Sequence, residues 1–109
     1  MEKIHVLLVE DELTLAMIIK DTLEEQEFII TTASDGEEGL RTFFAQKPDI
    51  VVADVMMPRM DGFEMVRRIR QTDKLTPVLF LTARSAFNDV LQGYERWATD
   101  YMKKPYGIH

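Results

Sequence analysis

The sequence predicts an α/β fold, a doubly wound parallel sheet of five strands, and three observations predict it. Short runs rich in Val, Ile and Leu alternate with longer segments of helical period along the 109 residues. The runs at 6–9, 50–53 and 78–81 show no polar alternation, as expected of parallel strands covered on both faces. The carboxyl ends of the strands at 4–9, 50–53, 78–81 and 101–103 lead into polar residues: Glu10 and Asp11, Asp54, Thr82, and Lys104. A βαβαβαβαβ order of this kind gives a parallel sheet with right-handed crossovers and helices on its faces.

Each element has its own local reason. The helix after the first strand carries Leu15, Ile19 and Leu23 at i, i+4 and i+8, with Ile18 beside them. Ser34-Asp35-Gly36 reads as the turn that starts the second helix, with Ser34 or Asp35 as N-cap. Leu40, Phe43 and Phe44 form that helix's apolar stripe. Gly39 within it lowers helix propensity by about 1 kcal/mol and hints at close packing. Met57-Pro58-Arg59-Met60-Asp61-Gly62 is a second turn, with Asp61 as N-cap of a helix whose stripe is Phe63, Val66 and Ile69. Phe87, Val90, Leu91 and Tyr94 mark a fourth helix. Such spacings bury one helix face against a sheet. Pro48 and Pro77 each precede a strand, where a missing N–H does least harm. No repeat, linker or low-complexity stretch interrupts the chain, so residues 1–109 read as one domain.

Composition excludes several classes. Hydrophobic residues at 46% and charged residues at 29% fit an ordinary soluble globular protein. The net charge of −6, from 13 basic and 19 acidic side chains, argues against direct nucleic-acid binding, which wants a basic patch. No apolar run approaches a membrane span and the N-terminus carries no signal-peptide pattern. Without cysteine there are no disulfides or thiolate metal sites; the cytoplasm is the expected compartment. His5 and His109 form no constellation, and the seven methionines read as adaptable packing and turn residues.

In an open parallel sheet the carboxyl ends of the strands gather along one edge, so Glu10, Asp11, Asp54, Thr82 and Lys104 are expected to meet in one crevice. Three carboxylates drawn together repel unless a cation neutralises them. Oxygen-only ligands favour a hard cation; Mg²⁺ fits best, with Mn²⁺ as a substitute. The bland alternative, that Glu10-Asp11-Glu12 caps the following helix, has about even odds by itself. It weakens once Asp54 ends a neighbouring buried strand, where an acid has no capping reason to be. Lys104 as a point charge suits Asp54 and a phosphoryl oxygen, against the plainer reading of a solvated lysine. The Thr82 hydroxyl either faces the crevice or bonds locally.

With these residues in order, the chain resembles the receiver domain of bacterial two-component response regulators. The resemblance rests on Leu8-Val9-Glu10-Asp11-Glu12, Asp35-Gly36-Glu37-Glu38, Pro48-Asp49-Ile50-Val51-Val52-Ala53-Asp54, Met57-Pro58-Arg59-Met60-Asp61-Gly62-Phe63, Pro77-Val78-Leu79-Phe80-Leu81-Thr82-Ala83-Arg84 and Asp100-Tyr101-Met102-Lys103-Lys104-Pro105. Each motif alone is weak; all in sequence at family spacing are highly specific. Between Thr82 and Tyr101 the chain is most similar to regulators with a winged-helix DNA-binding output domain.

The resemblance implies the flavodoxin-like strand order 2-1-3-4-5. It implies that Asp54 is the phosphoacceptor, taking a phosphoryl group from a sensor histidine kinase or a phosphotransfer protein. Asp11, Asp54 and the Met56 backbone carbonyl would ligate Mg²⁺, with Glu10 acting through a water. Lys104, the Thr82 hydroxyl and the Ala83 N–H would bind phosphoryl oxygens. Thr82 and Tyr101 would form the switch that reshapes the surface of the fourth helix and fifth strand, a face that also allows a homodimer. Met56 and Arg84 would tune the lifetime of the acyl phosphate. The domain would catalyse only its own phosphorylation and dephosphorylation, in the control of an output, expected to be transcription.

Two departures matter. After Lys104-Pro105 only Tyr106-Gly107-Ile108-His109 remain, too few for the family's fifth helix, so the expectation is a truncated or cleaved piece of a longer regulator that self-associates through the bared surface. Trp97 stands where the family has Gly at the end of the fourth helix, which puts the geometry near Tyr101 in question; a Trp97 lying simply against the surface is at least as good a reading. Rival functions fare worse. An Asp-nucleophile phosphohydrolase needs a second acid where Met56 stands. A flavin-binding module needs a phosphate loop where Glu10-Asp11-Glu12 stands. The remaining alternative is a degenerate receiver serving only as a protein-interaction module.

Overall fold

The computed structural model describes residues 3–81. The expected fourth helix with Trp97, the fifth strand, and Thr82, Ala83, Arg84, Tyr101 and Lys104 lie outside the described residues. Strands β1 (His5–Val9), β2 (Ile29–Ala33), β3 (Ile50–Asp54) and β4 (Val78–Leu81) alternate with helices α1 (Leu13–Glu25), α2 (Gly36–Gln46) and α3 (Gly62–Ile69). The strands make one sheet in the order β2-β1-β3-β4, and every pairing is parallel. This is the α/β order expected, with β1 and β3 at the centre of the described sheet.

Side chains alternate across a strand, and the central strands divide accordingly between two cores. Val6, Leu8, Ile50 and Val52 pack with Ile19 and Leu23 of α1. Leu7, Val9, Val51 and Ala53 pack with Phe43 of α2 and Met65 and Ile69 of α3. Helices therefore cover both faces, which is what the unbroken apolar runs require. His5 opens β1 and its Nε2 lies 2.7 Å from the Thr31 hydroxyl of β2, an ordinary strand residue.

The helix stripes hold in part. Leu15, Ile19 and Leu23 face the sheet, but Ile18 is exposed, because it lies about 100° round the helix from Ile19. Phe44 is exposed for the same reason, one step from the buried Phe43, and makes an edge-to-face contact with its neighbour's ring at 5.3 Å. In α3 the buried pair is Met65 and Ile69, spaced i and i+4, whereas Phe63 is exposed and meets the ring of Phe80 at 5.0 Å. Both expected turns form. Asp35 and Asp61 cap α2 and α3, accepting the N–H groups of Glu38 and Glu64 at 2.9 and 2.8 Å. Ser34 instead donates its backbone N–H and its hydroxyl to the Glu38 carboxylate, at 2.7 and 2.9 Å.

Candidate metal centre at the carboxyl edge of the sheet

Register brings the acids together. Val9 of β1 pairs with Ala53 of β3, so Glu10 and Asp54 each stand one step past that pair, on adjacent central strands. The Glu10 N–H donates to the Ala33 carbonyl of β2 at 3.0 Å, which carries the ladder one residue beyond β1 and fixes where Asp11 turns off. Carboxylate oxygens of Glu10, Asp11 and Asp54 all lie within 4.8 Å of one another. Glu10 is buried at 3% exposure, Asp54 is half-buried and Asp11 is exposed, so the cluster opens to solvent on the Asp11 side.

The acids are not there to cap α1. Its N-cap is Glu12, whose side chain makes no capping hydrogen bond. The Glu12 N–H instead donates to the Glu10 carboxylate at 3.0 Å. Among the described residues no lysine or arginine forms an ion pair with Glu10, Asp11 or Asp54. Burial, reinforced by the neighbouring Asp54 and Asp11, pushes the Glu10 carboxyl up to about 7. Burial likewise raises Asp54, against the pull of the Met56 N–H on its carboxylate. Buried, mutually repelling carboxyls with raised pKa values are groups whose charge a hard divalent ion would neutralise.

The loop from β3 to α3 completes the described part of the crevice. Gly62 seals its base, with its N–H donating to the Val55 carbonyl at 2.8 Å. A Cβ at Gly62 would fall 2.2 Å from the Asp54 carbonyl oxygen, so only glycine lets α3 start this close to Asp54. Beside the acids an open depression of about 430 Å³ is lined by Asp11, Val55, Met56, Met57, Pro58 and Asp61. Met56 projects into solvent at 82% exposure. Of the residues singled out from sequence, Glu10, Asp11 and Asp54 converge, and Met56 lines the adjoining depression with Asp11. What sequence reasoning missed is the Asp35–Arg59 pair, joined at 2.9 Å across 24 residues; a basic residue inside a turn gives no signal of its partner.

A doubly wound parallel sheet with an acid triad at its carboxyl edge and an Asp at the end of a central strand places the candidate site where open α/β sheets bind their ligands. Residues 6–109 match the family model described as the response regulator receiver domain. The chain is 42% identical over 105 residues to the transcriptional regulatory protein TrcR of Mycobacterium tuberculosis, covering 96% of this chain and 41% of that protein. The chain thus spans less than half the length of the curated relatives it matches. Among solved structures, Vibrio cholerae chemotaxis protein CheY4 superposes with a TM-score of 0.72 at 31% identity, over 86% of this chain and 80% of that one. The receiver domain of the sensor histidine kinase PA1611 from Pseudomonas aeruginosa, with a magnesium ion coordinated in its active site cleft, gives a TM-score of 0.72 at 28% identity, over 81% and 74%. This chain belongs to the response regulator receiver domain family, a family of signalling domains of two-component systems rather than of classical enzymes, with relatives named as transcriptional regulators.

Proposed function

We propose that this chain accepts a phosphoryl group on Asp54 from a histidine kinase or phosphotransfer protein in a Mg²⁺-dependent reaction. The observation that carries the reading is the convergence of Glu10, Asp11 and Asp54 within 4.8 Å, with no cationic side chain of the described residues paired to them. Asp11, Asp54 and the Met56 carbonyl would hold the ion, with Glu10 reaching it through a water. When bound, Mg²⁺ neutralises charge on the carboxylates and on the incoming phosphoryl oxygens. An Asp54 carboxylate oxygen forms the new bond to phosphorus as the bond to the donor imidazole nitrogen breaks, and the imidazole leaves with the electron pair. The half-buried position of Asp54 at a strand end suits it to this, because the strand fixes its direction while one side stays open.

Lys104, the Thr82 hydroxyl and the Ala83 N–H would receive the phosphoryl oxygens. Thr82 and Tyr101 would carry the change to the outer surface, Met56 and Arg84 would set the rate of water attack, and the output would be control of transcription from the cytoplasm. The test is incubation with Mg²⁺ and a small acyl-phosphate donor. A mass gain of roughly 80 Da, one phosphoryl group, is expected on the wild type, absent with EDTA and absent in Asp54→Asn. An unmodified wild type under those conditions would leave the chain as an interaction module only.

A further inference from the structure

We propose that the Asp35–Arg59 ion pair is a positioning tie that holds the loop between β3 and α3 in the shape needed to serve Asp54 and a divalent cation. The inference rests on the functional reading above. Its first support is conformational. Arg59 has φ 67°, a left-handed backbone that a side chain with a Cβ rarely adopts and that glycine adopts freely. What an arginine adds at that position is its guanidinium, and Nη1 reaches Asp35 Oδ2 at 2.9 Å.

The second support is what it is tied to. Asp35 is only 10% exposed at its side chain, and its other oxygen caps α2 through the Glu38 N–H at 2.9 Å. One carboxylate therefore fastens the loop to a rigid helix end. Next to it the Gly36 N–H donates to the Met60 carbonyl at 3.1 Å. The loop is thus pinned at its tip by residues 59 and 60 and at its base by Gly62 to Val55. Between the two anchors lie Met56, whose N–H pulls on the Asp54 carboxylate, and Met57 and Pro58, which with Met56 line the depression beside Asp11. Releasing Arg59 leaves the tip held by the Gly36–Met60 bond alone, and the Met56 backbone between the anchors loosens with it.

The test measures Mg²⁺ affinity by calorimetry on the 109-residue chain, thermal stability on the same samples, and hydrogen exchange at the Met56, Met57 and Met60 amides in EDTA. Arg59→Gly is expected to weaken Mg²⁺ binding about threefold to tenfold and to speed exchange at those amides. Its melting temperature stays close to wild type, because glycine relieves the backbone at that position. Asp35→Asn keeps the cap and should match Arg59→Gly, the double variant should add nothing, and Arg59→Lys should recover affinity to within about twofold. The proposal is overturned if both single variants bind Mg²⁺ as the wild type does, or if affinity falls only together with melting temperature and lysine fails to restore it. A wild type that binds no Mg²⁺ would sink the functional reading and the tie with it, a result distinct from a defect, or none, confined to the variants.

Discussion

A methyl group on Gly62 would meet the Asp54 carbonyl oxygen at 2.2 Å and the Val55 Cα at 3.2 Å. Both are backbone atoms at the strand end that carries the Asp54 carboxylate, so neither can step aside without moving Asp54. Gly62→Ala is therefore expected to destabilise the domain by about 2–3 kcal/mol, the upper part of the overpacking range, and to cut phosphoryl uptake by Asp54. Gly39 is the contrast. Its Cβ would meet the Met65 sulfur at 2.7 Å and the Val9 methyls at 3.0 and 3.1 Å; Met65 can turn, and alanine returns about 1 kcal/mol of helix propensity. Gly39→Ala should fall within about 1 kcal/mol of wild type on the same urea titration. A Gly62→Ala protein as stable as Gly39→Ala would refute the close-approach argument. At this scale the site was legible where chemistry and position coincide. An acid ending an apolar strand, as Asp54 does after Ala53, has few other reasons to exist. The contact of Gly39 was legible only as a helix defect, and the reach of Arg59 to Asp35 was not legible at all, because no periodicity links a loop tip to a distant cap.

Among the elements, α1 stands out for what its start lacks. Glu12 holds the N-cap position with extended backbone, φ −86° and ψ 106°, yet caps nothing with its side chain; α2 and α3 are capped by Asp35 and Asp61. Serine at position 12 would supply the missing acceptor and remove one charge beside the acid cluster. Glu12→Ser is expected to raise stability by about 1 kcal/mol, a melting shift of roughly 4 °C for a domain this size, and a fall in melting temperature would count against the cap assignment. Element existence was readable because the buried runs 6–9 of β1 and 50–53 of β3 have no polar residue to confuse with a helix stripe. The bounds of β2 were not readable. Its sequence Ile-Ile-Thr-Thr-Ala has the burial pattern of exposed, buried, intermediate, exposed and buried, so it offers neither a full apolar run nor strict alternation. Ile18 and Phe44 misled for a related reason: a two-residue apolar cluster on a helix always contains one member about 100° off the buried line, and sequence alone does not say which. Met65, fully buried, was hidden by the adaptability that lets methionine sit anywhere.

For the whole molecule, ionisable groups of opposite tendency should give the metal-free protein an unusual pH profile. The Glu38 N–H holds Asp35 below the usual carboxylate range, and the Thr76 N–H does the same for Asp73. The Arg67 guanidinium, with Arg68 behind it, draws Glu64 down to about 2. Groups depressed in the folded state bind fewer protons there than in the unfolded chain, so the stability they contribute is present above about pH 4 and is lost as pH falls. Glu10 works the other way. Burial lifts it from 4.5 to about 7, so between those values the folded state binds the extra proton and stability falls as pH rises; Asp54, also raised by burial, adds to the same slope. The Glu10 change corresponds to at most about 3–4 kcal/mol. Urea unfolding in EDTA should therefore show greatest stability near pH 4–5, with a decline toward pH 7.5 on one side and toward pH 2 on the other. Two changes should flatten the neutral limb, the first by removing the buried ionisable group and the second by neutralising its charge: Glu10→Gln in EDTA, and millimolar Mg²⁺ with the wild type, which stabilises by mass action as well. Stability that instead rises from pH 5 to 7.5 in EDTA would mean that the three carboxylates are already neutralised within the protein, and the case for a divalent ion at this edge of the sheet would lose its electrostatic basis.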